Sequence, residues 1–174
     1  PDCSGAPKPH TWGQYVYYST LMCLLECTHC GLVWANAQIA PDVIRSHFES
    51  AYKSDKYFSH SRRAIFEHLV DLIVDLCPKG ARVLDIGGAL GHLAAQLVAR
   101  RPDLTVVVND ISETATSWVT QNLGLATLTG GAGELAVHQD HYQVVVLSDV
   151  LYYEPNLPLL WAALSRLVCE GGSI

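Results

Sequence analysis

Several signals that would announce a function at once are missing from this chain. Basic residues are few: 11 Lys and Arg stand against 17 Asp and Glu, for a formal net charge of −6. A nucleic-acid ligand usually asks for a basic face, so no nucleic-acid partner is expected. No apolar run approaches the ~20 residues of a membrane span, and the first residues carry no signal-peptide pattern. A cytoplasmic protein without a membrane partner is the expectation. The chain has no Gly-Lys-Ser/Thr phosphate loop. It also has no Ser-His-Asp or paired-carboxylate arrangement of the kind hydrolases use. With 174 residues, 49% of them apolar, it has the size of one α/β domain plus a small appendage.

What is present is concentrated in Val83-Leu84-Asp85-Ile86-Gly87-Gly88-Ala89-Leu90-Gly91-His92. An apolar run reaches an acid, then a glycine-rich turn, then a helical pattern from Leu93 to Val98. A buried strand feeding a tight turn and a helix start is how parallel α/β proteins build a nucleotide or nucleoside pocket. A second run, Leu104 to Val108, leads to Asp110, 25 residues after Asp85. An acid at that place suits a ribose diol, because two acceptor oxygens match two adjacent hydroxyls. Asp85, ahead of the glycines, would repel a pyrophosphate. It suits a cationic ligand, and so points away from NAD and toward an amino-acid-bearing nucleoside.

Periodicity supplies the frame. Helices are predicted over 41–52, 61–76, 91–100, 112–123 and 156–168, and strands over 81–86, 104–109, 126–128 and 143–148. Strands that alternate with helices imply a doubly wound, mostly parallel sheet with right-handed crossovers. Ligands bind such sheets at the C-terminal strand ends, where Asp85, Asp110 and Asp149 fall. Only Ser173 and Ile174 follow Gly171-Gly172, which reads as the opening of a fifth strand. The sheet is therefore expected to lack its last strands, as in a fragment of a longer protein.

These residues resemble the class I S-adenosylmethionine-dependent methyltransferases. Val83 to Gly91 follows that family's first motif, with Ala89 where the middle glycine is usual. Val108-Asn109-Asp110-Ile111-Ser112 is similar to the second motif, Tyr142 to Leu151 to the fourth, and Leu164 to Gly172 to the turn before the fifth strand. The resemblance covers about 60–174. It implies a Rossmann-like methyltransferase core, S-adenosylmethionine as cofactor and a methyl-accepting small molecule as partner. It also implies cofactor contacts at Asp85, Ile86, Gly87, Gly88, Gly91, Asp110, Ile111, Ala132 and Asp149. Where many members place an acid to meet the adenine amine, this chain has Gly131, which leaves the backbone near Ala132 to hold the base.

Four of the six cysteines lie in the first thirty residues. Cys27-Thr28-His29-Cys30-Gly31 has the spacing at which two thiolates reach one zinc ion. Cys3 is a third ligand candidate. The fourth is His10, Cys23, His29 or a residue outside this sequence. Free thiols and a redox pair are the competing readings, although a redox C-x-x-C usually stands where a strand meets a helix, not between strand-like 15–25 and 32–34. Cys77 and Cys169 read as ordinary buried thiols.

A zinc-ribbon ending in Cys30-Gly31-Leu32-Val33-Trp34, followed by a Tyr-rich helix, resembles a subset of bacterial methyltransferases that act on sugars and other small metabolites. In that subset the tyrosine helix is a lid, so Tyr52 or Tyr57 would touch the cofactor or pack the lid. Three segments follow: 1–38 zinc-ribbon-like, 39–78 helical lid or linker, and 79–174 the cofactor-binding core.

Methyl transfer is an in-line displacement with a neutral leaving group, so positioning dominates. A hydroxyl or acidic C–H acceptor adds the need for a base. Tyr152, Tyr153 and His92 are the candidates, each read more readily as packing or helix capping, so no catalytic residue is assigned. His138 and His141 read as solvated loop residues. Two rival functions remain: an NAD-type oxidoreductase, suggested by the glycine turn, and a non-catalytic zinc-ribbon interaction module on a degenerate methyltransferase scaffold.

Overall fold

Aromatic, polar and cysteine residues dominate the first strands, with too little apolar surface to bury both faces of a sheet. They pair as an antiparallel meander, β1 (Pro7–Tyr17), β2 (Thr20–Cys27) and β3 (Val33–Ala35), in that spatial order. The computed structural model describes residues 3–17, 20–36, 39–52 and 60–174, with the backbone alone described at 60–63. The run expected as one strand over 15–25 is divided between β1 and β2, because Tyr17 and Thr20 are register partners in a hairpin. α1 (Pro41–Ala51) follows, and the chain divides into two units within it, Pro1–Ile44 and Arg45–Ile174. Tyr57, named above as a lid candidate, lies outside the described residues.

In the second unit, strands and helices alternate as the periodicity predicts. α2 (His60–Leu76) leads into β4 (Arg82–Ile86), α3 (His92–Arg100), β5 (Thr105–Asp110), α4 (Glu113–Leu123) and β6 (Ala126–Thr129). Then come α5 (Ala132–Val137), β7 (Tyr142–Leu147), a short 3₁₀ turn (Leu151–Tyr153), α6 (Leu157–Leu167) and β8 (Val168–Ser173). The five strands are all parallel, in the order β6-β5-β4-β7-β8. Chain order reverses between β4 and β7, and a crevice opens at such a switch point.

Strand alternation sorts the core into two layers. Val83, Val106, Val108 and Val144 face α2, α3 and α4 through Val70, Ile73, Leu93, Leu97 and Val119. Leu84, Ile86, Val107 and Val145 face α5 and α6 through Leu135, Leu160, Leu164 and Leu167. Both sides of the sheet are covered, which is why its strands read as continuous apolar runs. No described helix is long and apolar enough to cross a membrane.

Three local expectations change. The fifth strand, predicted to open at Ser173, pairs with β7 from Val168: Val168 faces Tyr142 and Ser173 faces Val144. Five steps of β8 thus span two of β7, and the turn expected at Cys169–Gly172 is looped out within the strand. α5 was not foreseen, because its six residues are too few to show a helical period. The Glu134 carboxylate starts it by accepting from the Gly131 N–H (2.9 Å). His138 is half-buried rather than free in solvent: its Nε2 lies 2.9 Å from the hydroxyl of fully buried Tyr142.

Candidate functional site

The turn after β4 is built on two glycines. Gly87 has φ +69°, and a Cβ there would overlap Val150 Cγ2, so the residue that follows β7 packs directly on this turn. At Gly88 a Cβ would lie 2.6 Å from Asp85 Oδ2 and 2.8 Å from Val108 Cγ1. Its absence leaves room for the Asp85 carboxylate. Hydrogen bonds then tie the turn to the end of β5: Gly88 N–H donates to Asn109 O (3.0 Å), and Ala89 N–H to Asp110 Oδ2 (3.0 Å). Gly91, with φ +70°, is the residue from which α3 starts.

Two carboxylates therefore share one buried corner. Asp85 is 2% exposed, and its Oδ2 accepts no hydrogen bond among the described residues. Burial, reinforced by the charge of Asp110, pushes its carboxyl up to about 7. Asp110 is likewise raised by burial, although three donors partly offset this. Ser112 N–H binds its Oδ1 (2.9 Å), while Ala89 N–H and, at 3.5 Å, the Tyr52 hydroxyl bind its Oδ2. A buried acceptor with no donor of its own is uncommon enough to mark a place where a ligand completes the structure.

The other expected site residues gather at the same C-terminal edge. Ile86 ends β4, and Ile111 links β5 to the α4 cap at Ser112. Ala132 is buried, and a Cβ on Gly131 would stand 3.8 Å from Ile111 Cγ2. Asp149 follows β7 with φ +65°, an exposed acid held in the left-handed region. His92 opens α3, and burial holds its imidazole below the ordinary value. Tyr153 packs edge-on against Phe48 (5.2 Å) and tilted against Tyr152 (4.4 Å). Tyr152 is 64% exposed.

Sequence reasoning missed Glu49. Its Oε1 accepts from Glu113 N–H (2.7 Å) and its Oε2 from Thr114 N–H (3.2 Å), so α1 caps α4. The contact spans 64 positions and has no local motif, so nothing nearby in the chain could have announced it.

The first unit holds a separate cluster. The Sγ atoms of Cys3, Cys27 and Cys30 all lie within 4.8 Å of one another. The turn after β2 brings Gly31 N–H to Cys27 O (3.0 Å) and His29 N–H to Cys27 Sγ (3.4 Å). Hydrogen bonds from the Cys30 and His29 backbone pull the Cys27 thiol down to about 7, and Cys3 Sγ lies 3.3 Å away. None of the three fourth-ligand candidates joins this group. His10 Nδ1 accepts from Trp12 N–H (3.2 Å), and Cys23 stands mid-strand opposite Gln14.

Ala89 takes φ +50° where the related motif has glycine. A left-handed alanine costs roughly 1–2 kcal/mol, and glycine gives back roughly 0.5–1 kcal/mol through its freer unfolded chain. Ala89→Gly is expected to leave stability unchanged or raise it by up to about 1.5 kcal/mol. Urea denaturation checks this, and a clear loss of stability would contradict the strained geometry.

Comparison with known proteins places this architecture. No curated protein matches the chain. Among solved structures, the N-methyltransferase NodS of Bradyrhizobium japonicum, in complex with S-adenosyl-L-homocysteine, superposes with a TM-score of 0.61 at 17% identity. That match covers 74% of this chain and 69% of NodS. The magnesium protoporphyrin IX methyltransferase of Synechocystis, with bound S-adenosylmethionine, gives 0.55 at 22% identity, over 76% of this chain and 72% of its own. A TehB-like S-adenosylmethionine-dependent methyltransferase of Corynebacterium glutamicum gives 0.54 at 18%, over 74% and 71%. These likenesses, all at 22% identity or less, are likenesses of fold. The family model for the methyltransferase domain matches residues 57–174, more than half of the sequence, and the chain therefore belongs to that family.

Proposed function

We propose that the protein transfers a methyl group from S-adenosylmethionine to a small-molecule acceptor, a sugar or another metabolite. The buried Asp85 carboxylate carries the donor assignment. Its Oδ2 has no donor among the described residues, and Gly88 keeps the space beside it clear of a Cβ. A ligand with a cationic amino-acid end would complete that oxygen. A pyrophosphate would meet repulsion from the paired acids.

The donor, when bound, supplies an electrophilic methyl group on a sulfonium. Ile86, Gly87, Gly88 and Gly91 would offer backbone to the amino-acid end, Asp110 its carboxylate to the ribose, and Ile111 and Ala132 the walls for the base. Asp149 would stand on the acceptor side, after β7. Burial disfavours the charged form of the His92 imidazole, and Tyr153 packs edge-on against Phe48. The work of these residues is to orient the acceptor and exclude water.

Calorimetric titration tests the donor. S-adenosylhomocysteine should bind and NADH should not. The reverse would overturn this reading in favour of a dinucleotide enzyme, and no affinity for S-adenosylhomocysteine would favour a non-catalytic scaffold. The acceptor would then be sought as a donor-dependent mass gain of one methyl group across a metabolite library.

The three-cysteine group supports a structural zinc in the first unit. Sulfur-rich sets select zinc, and a thiol already near pKa 7 yields its proton readily to the metal. Purified protein should carry about one zinc per chain, lost on chelation together with protection of the β1–β3 backbone in hydrogen exchange. Protein with no zinc, and unchanged exchange after chelation, would leave these residues as free thiols.

A further inference from the structure

We propose that Glu49 is the latch of a lid over the donor site, a positioning residue that fastens the last turn of α1 to the N-terminus of α4. The proposal rests on the donor reading above and adds to it a residue that acts without touching the ligand.

The first turn of any helix has N–H groups with no partner inside the helix. In α4 these are met from two sources. The Ser112 hydroxyl accepts from Ala115 N–H (3.1 Å), the usual local cap. Glu113 and Thr114 are served instead by the two oxygens of Glu49. An anion at a helix N-terminus is favoured by the macrodipole as well as by the hydrogen bonds. Burial would raise the Glu49 carboxyl, but hydrogen bonds from Thr114, Glu113 and Ser112 outweigh it and hold the group below its ordinary value. Glu49 is thus the charged form in place.

What the latch holds down is the aromatic end of α1. Phe48 and Tyr52 are each 8% exposed and stack on one another (5.6 Å). Tyr52 reaches Asp110 Oδ2, and Phe48 meets Tyr153 beyond β7. One helical turn therefore bridges the acid expected to hold the ribose and the turn expected to face the acceptor. Asp110, Ser112 and the α4 N-terminus form one hydrogen-bonded run, so a pull on Glu113 and Thr114 is felt at the Asp110 carboxylate.

Three variants separate the hydrogen bonds from simple packing. Glu49→Met keeps the volume and loses both acceptors, Glu49→Gln keeps one carbonyl oxygen, and Glu49→Ala loses both acceptors and the volume. Each is titrated with S-adenosylhomocysteine by calorimetry, with dissociation followed by stopped-flow fluorescence and amide exchange followed at Glu113 and Thr114. We expect Met and Ala to bind about tenfold more weakly through faster dissociation, with Gln between them and wild type. The two amides should exchange faster in the Met variant. A Met variant that binds like wild type would reduce Glu49 to a packing residue, and affinities all within about twofold would overturn the latch. If wild type itself binds no S-adenosylhomocysteine, the donor reading fails and takes the latch with it. Wild-type binding with unaltered variants sinks the latch alone.

Discussion

The arrangement depends on a buried carboxylate, one oxygen of which meets no donor among the described residues. Asp85 sits within the central strand β4 between β5 and β7, fully enclosed, beside a second buried acid. Two acids in one low-dielectric corner oppose each other's ionisation, which is unfavourable for the fold. The surrounding construction reads as a response to that pair. Gly88 clears space for one carboxylate, the Ala89 and Ser112 amides hold the other, and Gly87 admits Val150 against the same turn. Among the described residues, the non-glycine positions at positive φ are Ala89 and Asp149, both at this edge of the sheet.

The same constraint separates the two ends of the sheet. At the N-terminal edge, acids are matched by arginines: Arg82 pairs with Asp140, Arg101 with Asp103 and Arg100 with Asp71. At the C-terminal edge, Asp110 and Glu49 are met chiefly by backbone N–H groups and a tyrosine hydroxyl. Neutral donors stabilise these carboxylates without cancelling their charge. That edge consequently presents a negative field suited to a cationic donor.

Most of the second unit was legible because its signals are local. Apolar runs bounded by glycine or an acid mark β4, β5, β6 and β7 to within about two residues, and the spacing of Ile73 and Leu76 with Pro78 beyond marks the end of α2. What stayed hidden depends on distant or irregular contacts. α5 is too short for periodicity, and β8 interrupts its pairing with a loop that only the neighbouring β7 explains. His138 looked solvated until the fold brought it to Tyr142. Glu49 is an ordinary helix-surface glutamate in sequence and becomes a cap only when α4 arrives. In the first unit the Cys27–Gly31 spacing was readable, whereas the exclusion of His10, Cys23 and His29 from the thiol cluster required the hairpin register.

The central claim is that the Asp85 site receives a cation, and the protons it exchanges test this most directly. Its carboxyl, ordinarily near 3.8, is held at about 7, so near pH 6 it is mainly protonated. A cation beside it favours the charged form. Binding of S-adenosylmethionine should therefore release a proton near pH 6, and the release should vanish by about pH 9, where the group is already ionised. Calorimetry in buffers of different ionisation enthalpy reads this release, and Asp85→Asn should abolish it. Binding with heats independent of the buffer at both pH values would contradict the account.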